Sequence, residues 1–180
     1  MAQHNPEMVR VHFGQLAVQY FVAGRAAAIH QLIPVLGNLL HHAVEMALKA
    51  ALSSRLSLVD LKKLGHNLPR VWATYKTTVS IDVSRFDLVV EDLHRFEELR
   101  YPDSVLEHGA PMEFALLREH MAKPEGPSQT PRYTLVLEDI DEFMEFIFEA
   151  SDINPKFFTG AMSPDAKNYL ARHNRHTSKW

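Results

Sequence analysis

The sequence predicts an all-α fold, namely an up-and-down helical bundle with a short helical extension at its C-terminal end. Apolar residues recur at helical spacing along residues 6–31 and again along residues 86–96. Residues 36–51, wound as a helix, place apolar side chains over roughly 200° of the circumference. Because only residues 133–137 have an extended pattern, we expect little or no sheet.

The first two predicted helices are long. The first begins near Pro6, with an apolar face formed by Val9, Phe13, Leu16, Tyr20, Ala23 and Ala27. The second runs from Pro34, where a missing N–H costs little, to about Ser53. These helices, at about 7–31 and 34–53, carry more apolar surface than one small bundle covers, which predicts a homodimer.

Short helices follow. The segment Ser57 to Asp60 resembles a capping box and opens a turn that ends at Gly65. Asn67 is positioned to cap a third helix, with Pro69 in its first turn. A fourth helix begins near Asp82 or Ser84, with its apolar face on Phe86, Val89, Val90, Leu93 and Phe96, and ends before Pro102.

In the second half of the chain, the predicted helices are interrupted by more loops. We expect a loop at 102–111, a short helix at Glu113–Met121 and an exposed loop at 122–132. Asp139 or Asp141 is expected to cap a further helix, and Ser163 begins a last one. The domain prediction is a bundle at 1–152, with the loop 122–132 inserted, and a C-terminal extension at 153–180 with a basic tail.

Composition excludes several classes of function. The 180 residues carry a net charge of −3 and no cysteine, which excludes disulfides and thiol chemistry. The 11 histidines allow the net charge to change sign near pH 6. The beginning of the sequence lacks signal-peptide features, and no apolar run approaches a membrane span of about 20 residues. We therefore expect a cytoplasmic protein that does not enter a membrane.

A narrow polar stripe interrupts the second helix. Asn38, His42, Glu45 and Lys49 lie on one wedge of an otherwise apolar surface. Buried charges are costly unless paired, so we expect Glu45 and Lys49 to be at least half buried and to depend on each other. A structural network that fixes the helix register is favoured over a ligand surface.

Three further features can carry chemistry. His66 and Arg70, beside Asn67, form the best polar cluster, able to bind phosphate or exchange a proton, although a simple turn explains them as well. The pairs His42-x-x-Glu45 and Glu91-x-x-His94 have the spacing of di-metal bundles. Since Glu91 and His94 are expected on a solvated face, we predict no metal and no cofactor.

The C-terminal tail is basic. Arg172, Arg175, Lys179 and Trp180 are candidates for contact with RNA, and a disordered tail is the alternative. The acidic helix at Glu138–Glu149 is expected to be a solvated face or the tail's intramolecular partner.

Four local features together resemble the HEPN-domain family. They are an apolar first helix and three short motifs in the family's order and spacing. The motifs are Ala43-Val-Glu45-Met-Ala-Leu-Lys49-Ala-Ala-Leu52, Gly65-His66-Asn67-Leu68 and Arg100-Tyr101-Pro102-Asp103. The resemblance covers about residues 5–105, and a helix at 140–151 would complete the bundle.

The resemblance implies a homodimeric bundle that binds RNA or a nucleotide, often in toxin–antitoxin or defence systems. Implied binding residues are His66, Asn67, Arg70, Arg100 and Tyr101; weak catalytic candidates are His66, Arg100 and His108. Ribonuclease members carry an Arg, four to six residues and a His, whereas Arg100 and His108 have seven residues between them. The only pair within range, Arg25 and His30, lies on the first helix. We therefore expect binding without efficient cleavage.

Two alternatives remain open. One is a non-catalytic interaction or neutralising subunit of such a system, which would expose an apolar patch. The other is a metal-independent ribonuclease with a displaced Arg and His pair. A nucleotidyltransferase-type protein is a possible partner for any of these three functions.

Overall fold

The computed structural model describes residues 5–100, 103, 106–107, 109, 112–121, 133–177 and 180. Within these residues the chain is mostly helical, as predicted, with one small sheet. The helices are α1 (Pro6–Ile29), α2 (Ile33–Leu52), α3 (Leu58–Lys63), α4 (Leu68–Lys76), α5 (Asp87–Phe96), α6 (Leu137–Ala150), α7 (Lys156–Thr159) and α8 (Pro164–Ala171). The strands are β1 (Met112–Ala115) and β2 (Tyr133–Val136), and short 3₁₀ turns lie at Ser84–Phe86, Glu97–Arg100 and Arg118–His120.

Helix α2 lies at the centre of the fold. It pairs with α1 as a helical hairpin and packs against α4, α5 and α6 with its other faces. This explains why its apolar arc is so wide, since neighbours cover it on nearly all sides. Gly37 allows the closest approach, because a Cβ at this position would lie 2.2 Å from the ring of Phe96.

The buried face of α1 differs from the predicted one. Leu16 and Ala23, predicted to face inward, are exposed. Val9 and Ala27 are buried as predicted. The other buried residues follow the same helical period on a rotated face: Gly14, Ala17, Val18, Phe21, Gly24, Arg25 and Ala28. The prediction considered only how apolar each side chain is. The close packing of α1 against α2 requires small side chains as well, since Gly24 lies directly against Leu40 of α2.

The predicted helix starts between residues 57 and 76 are confirmed. The Ser57 side chain accepts a hydrogen bond from the Asp60 amide, and the Asn67 side chain accepts one from the Arg70 amide at 2.9 Å. Gly65 has φ of +64°, the left-handed conformation that ends a helix. The turn formed by Gly65, His66 and Asn67 therefore has a defined shape, which matters for the site described below.

The prediction of a helix at Glu113–Met121 is wrong. Residues Met112–Ala115 form a strand that pairs in parallel with Tyr133–Val136, from Met112 opposite Tyr133 to Ala115 opposite Val136. The extended prediction for residues 133–137 is correct for the first four. A strand forms only when a partner from a distant part of the chain lies beside it. The spacing of apolar residues in a short segment does not reveal whether such a partner exists.

Helix α6 begins earlier than predicted, so neither Asp139 nor Asp141 is its cap. Val136 is the N-cap residue, Asp139 lies in the first turn, and Asp141 is buried against Arg25. The predicted loop at 102–111 is described only at Asp103, Leu106, Glu107 and Gly109, of which the first three are helical. The predicted loop at 122–132 lies outside the described residues.

The C-terminal segment packs onto the bundle. Ile153 and Leu170 belong to the same hydrophobic core as α1 and α2. The Trp180 ring lies 5.6 Å from Phe21 and 4.8 Å from Phe148, so this indole is engaged in packing and does not present a free face to a base. The side chain of Ser163 caps α8 as predicted.

Candidate functional site

Glu45 is the centre of the most concentrated polar cluster that the structure describes. Its carboxylate is fully buried on α2, and Oε1 accepts a hydrogen bond from the Lys49 ammonium at 2.6 Å. The other oxygen, Oε2, lies 3.1 Å from Nδ1 of His66 and 3.4 Å from Nδ1 of His42. We call these four residues the Glu45 cluster.

Side chains of α2 hold the 65–67 turn against the bundle. Lys49 donates to the Gly65 carbonyl at 2.7 Å, and Nε2 of His41 lies 3.2 Å from the His66 carbonyl. Buried carbonyl groups need such partners, and here the polar stripe supplies them. The polar side chains that were expected to fix the register of α2 are therefore the same side chains that hold this turn in place.

The ionisation of Glu45 is set by its partners. Burial alone opposes ionisation, but hydrogen bonds from His42, Lys49 and His66 outweigh it and lower the pKa of Glu45 to about 2. At neutral pH the cluster is therefore centred on a buried carboxylate. The His66 side chain is 67% exposed, and that of His42 is 20% exposed.

His41 connects this cluster to the end of α5. Its ring is fully buried, with Nδ1 3.2 Å from the Leu93 carbonyl and Nε2 3.6 Å from Oε2 of Glu97. The other oxygen of Glu97 accepts a hydrogen bond from Arg100 at 2.8 Å. His66 and Arg100, which are far apart in sequence, thus flank one buried imidazole. Burial lowers the pKa of His41, although the Leu93 carbonyl and the nearby Glu97 and Glu45 carboxylates oppose this shift.

The remaining predicted site residues have different surroundings. Asn38 is half-buried and donates to the Pro34 carbonyl at 3.4 Å within its own helix. Asn67 serves as a cap. Arg70 is exposed on the first turn of α4, and no carboxylate in the described part of the chain forms an ion pair with it. Tyr101 and His108 lie outside the described residues.

His94 does not point freely into solvent, contrary to our expectation. It is half-buried, its ring lies 6.0 Å from that of His41, and its Nδ1 is a buried atom with no hydrogen-bond partner in the described structure. Glu91 is exposed, with its carboxylate 3.7 Å from Arg95. The two residues of this Glu-x-x-His pair therefore have separate environments, and they do not converge on His42 and Glu45.

The basic tail is folded against the acidic helix α6, the second of the two expectations for that helix. Arg175 pairs with Glu138 at 3.4 Å and with Glu119 at 3.3 Å, and Nδ1 of His176 lies 3.1 Å from Glu145. Arg175 is paired with carboxylates within the chain, which makes it a weak candidate for RNA contacts, and Lys179 lies outside the described residues.

A second concave surface lies between α5, β2 and α6. It encloses about 400 Å³ and is lined by Arg85, Arg118, Asp92, Asp139 and Glu142, among other residues. Arg118 pairs with both Asp139 and Glu142, and Arg85 lies 3.4 Å from Glu142. Because its arginines are neutralised by neighbouring carboxylates, this groove is a poorer anion site than the surface at His66.

Sequence reasoning missed the roles of His41, Glu97 and the buried pair of Arg25 and Asp141. His41 was recognisable as part of the polar wedge of α2, but its two carbonyl partners come from other elements. Arg25 is fully buried and bonds both oxygens of Asp141. Its position between Phe21 and Ala28 on the buried face was the available signal.

Comparisons with known proteins identify no relative of this chain. No family model, no curated protein and no solved structure matches the chain significantly. Among the described helices, none is both long enough and apolar enough to cross a membrane.

Proposed function

We propose that the chain binds RNA or a nucleotide through the exposed surface formed by His66, Arg70 and Arg100, without efficient cleavage. The observation that carries this proposal is that the His66 imidazole and Arg70 are both exposed, on and just after a turn that Lys49 and His41 contact from α2. Phosphate oxygens prefer such donors, and a fixed turn reduces the entropy lost on binding. A HEPN-like assignment, with a role in a defence or toxin–antitoxin system, remains part of this proposal.

We expect inefficient cleavage of RNA because of the way the possible acid–base groups are arranged. Efficient cleavage beside a 2′-hydroxyl requires a general base for that hydroxyl and a general acid for the leaving oxygen at the same phosphate. His66 is accessible, but the Nδ1 of His42 faces the same buried carboxylate and its ring is mostly covered. Lys49 is buried and bonded to Glu45 and Gly65. The Glu45 cluster thus orients one exposed imidazole and exposes no second imidazole or carboxylate as its acid–base partner.

RNA binding by the purified protein is the direct test. We expect labelled single-stranded RNA to bind at low salt and to weaken steeply as salt rises, because phosphate binding releases counterions. Arg70→Ala should reduce affinity about 5- to 10-fold at low salt and make the salt dependence shallower. Arg55→Ala, which removes an exposed arginine outside this surface, is the matched control.

Three outcomes decide between the functions. Equal losses in Arg70→Ala and Arg55→Ala would indicate a nonspecific charge effect and contradict the proposed surface. Cleavage of the same RNA that disappears in His66→Ala would favour the ribonuclease alternative. Absence of binding at low salt would favour an interaction protein.

The interaction alternative has its own supporting observation, an apolar groove on α1. Met8 and Leu16 are 59% and 41% exposed, and with Phe13 and Leu58 they line a concavity of about 690 Å³. Exposed apolar surface of this kind is a feature of protein interfaces. We propose it as the face through which two copies of the chain associate.

Light scattering tests this face. We expect a dimer at micromolar concentration, and we expect Leu16→Glu to shift the population to monomer, since a carboxylate in an apolar interface is costly to desolvate. Val35→Glu, at an exposed apolar residue on α2 outside the groove, is the matched control. A monomeric wild-type protein of about 20.6 kDa would contradict self-association.

A further inference from the structure

We propose that His42, Glu45 and His66 form a binding site for a single Zn²⁺ ion. The sequence pattern considered for a metal paired α2 with α5, through Glu91 and His94. The structure instead brings a second histidine to α2 from the 65–67 turn. One ligand atom from each of His42, Glu45 and His66 lies within 4.8 Å of the others, and theirs is the one such group among the described residues.

The distances around Glu45 are those of a zinc coordination shell. Zinc bonds of about 2.0–2.1 Å at tetrahedral angles place neighbouring ligand atoms roughly 3.3 Å apart. Oε2 of Glu45 lies 3.1 Å from Nδ1 of His66 and 3.4 Å from Nδ1 of His42, which matches two edges of such a tetrahedron. The third edge, between the ligand atoms of the two histidines, is at most 4.8 Å, and reaching the zinc spacing requires the exposed His66 ring to rotate.

The surroundings of Glu45 favour a metal at one oxygen. Lys49 occupies Oε1 at 2.6 Å, which leaves Oε2 to coordinate in a monodentate manner. The same ammonium bonds the Gly65 carbonyl at 2.7 Å and so fixes the turn that carries His66. Lys49 is therefore an outer-shell residue that orients two of the three ligands.

His41 is not a fourth ligand, although its Nε2 lies 4.0 Å from Oε2 of Glu45. Its two ring nitrogens face the Leu93 and His66 carbonyls, which hold the ring in place. The site thus has three protein ligands, and its fourth position opens on the solvent side at His66. Two imidazoles with one carboxylate suit Zn²⁺ better than Mg²⁺ or Ca²⁺, which prefer all-oxygen shells. The open position would take water or an anionic oxygen.

Zinc titration of chelator-stripped protein tests the site directly. We expect one Zn²⁺ per chain by calorimetry, and Co²⁺ in its place should give the visible absorption of a tetrahedral centre. His42→Ala and His66→Ala should each weaken binding by about 100-fold or more, since even outer-shell changes cost about 10- to 100-fold. His66 is exposed, so its removal leaves the fold intact. His176→Ala is the matched control, because His176 also contacts a glutamate, Glu145, at 3.1 Å.

The proposal is overturned if wild-type protein binds no Zn²⁺, or if binding survives both His42→Ala and His66→Ala. Equal losses in His176→Ala would also overturn it, because they would place the ion elsewhere. RNA titrations in the presence of a chelator separate this proposal from the proposed function. RNA binding that persists without metal, with zinc binding absent, contradicts only the metal site. Zinc binding with no RNA binding contradicts only the RNA surface.

Discussion

Glu45→Ala is expected to lower the free energy of unfolding by about 3–5 kcal/mol, the cost of leaving a buried charge without its partner. The Lys49 side chain is only 6% exposed and would keep the Gly65 carbonyl as its hydrogen-bond acceptor, with no carboxylate. Lys49→Ala is expected to cost less, because the contacts of His42 and His66 with Oε2 of Glu45 remain. Denaturant unfolding of both variants gives the two values.

The double variant tests the mutual dependence. We expect Glu45→Ala with Lys49→Ala to cost clearly less than the sum of the single changes, since neither charge is then left unpaired. Lys63→Ala, which removes the exposed partner of Asp60 in a pair with the same kind of charges, should change stability little. Additive, small effects for Glu45 and Lys49 would contradict a buried, coupled pair.

The pH dependence of this stabilisation has a defined sign. The pKa of Glu45 is lowered to about 2 in the folded protein from an ordinary value of 4.5. The stabilisation is therefore fully present above pH 4.5 and is lost as the pH falls toward 2. The difference in stability between wild-type protein and Glu45→Ala should accordingly narrow below pH 4.5. A difference that stays constant between pH 6 and pH 3 would contradict this assignment.

Removing either member of the Arg25 and Asp141 pair should lower the free energy of unfolding by about as much as Glu45→Ala does. Both side chains are at most 1% exposed, and the guanidinium bonds both carboxylate oxygens. Asp141→Ala leaves that guanidinium buried with carbonyl acceptors alone, so we expect a loss of about 3–5 kcal/mol. Burial raises the pKa of Asp141 to about 6, although Arg25 opposes this, so the unfolding measurement belongs at pH 7.5, where the carboxyl is ionised.

Arg25 also joins the C-terminal segment to α1, which gives a second measurement. It donates to the Tyr169 carbonyl at 2.8 Å and to the Arg172 carbonyl. Arg25→Met should therefore speed amide hydrogen exchange in residues 164–177 more than in α2, because that segment loses two of its anchors. Arg95→Ala, at an exposed arginine with two acidic neighbours, is the control. Unchanged exchange of this segment would show that apolar packing alone holds it.

Local patterns in the sequence were sufficient for most of the helices. Helix caps depend on a few consecutive residues, which is why Ser57, Asn67 and Ser163 were correctly assigned. The width of the apolar arc on α2 indicated a buried helix, but the prediction of a dimer rested partly on that arc, whereas neighbours within the chain cover it. The polar wedge on the same helix identified the residues that the structure places around Glu45.

Only the tertiary structure decided which residues meet. The strand at Met112–Ala115 exists because Tyr133–Val136 lies beside it, and Asp141 is buried because Arg25 faces it from α1. The site itself combines His42 and Glu45, one helical turn apart on α2, with His66, which arrives 21 residues later on a turn held by Lys49. Helical periodicity determines which side chains share a face of one helix. The partner of each face is set by packing between distant segments, and short-range spacing carries no information about that packing.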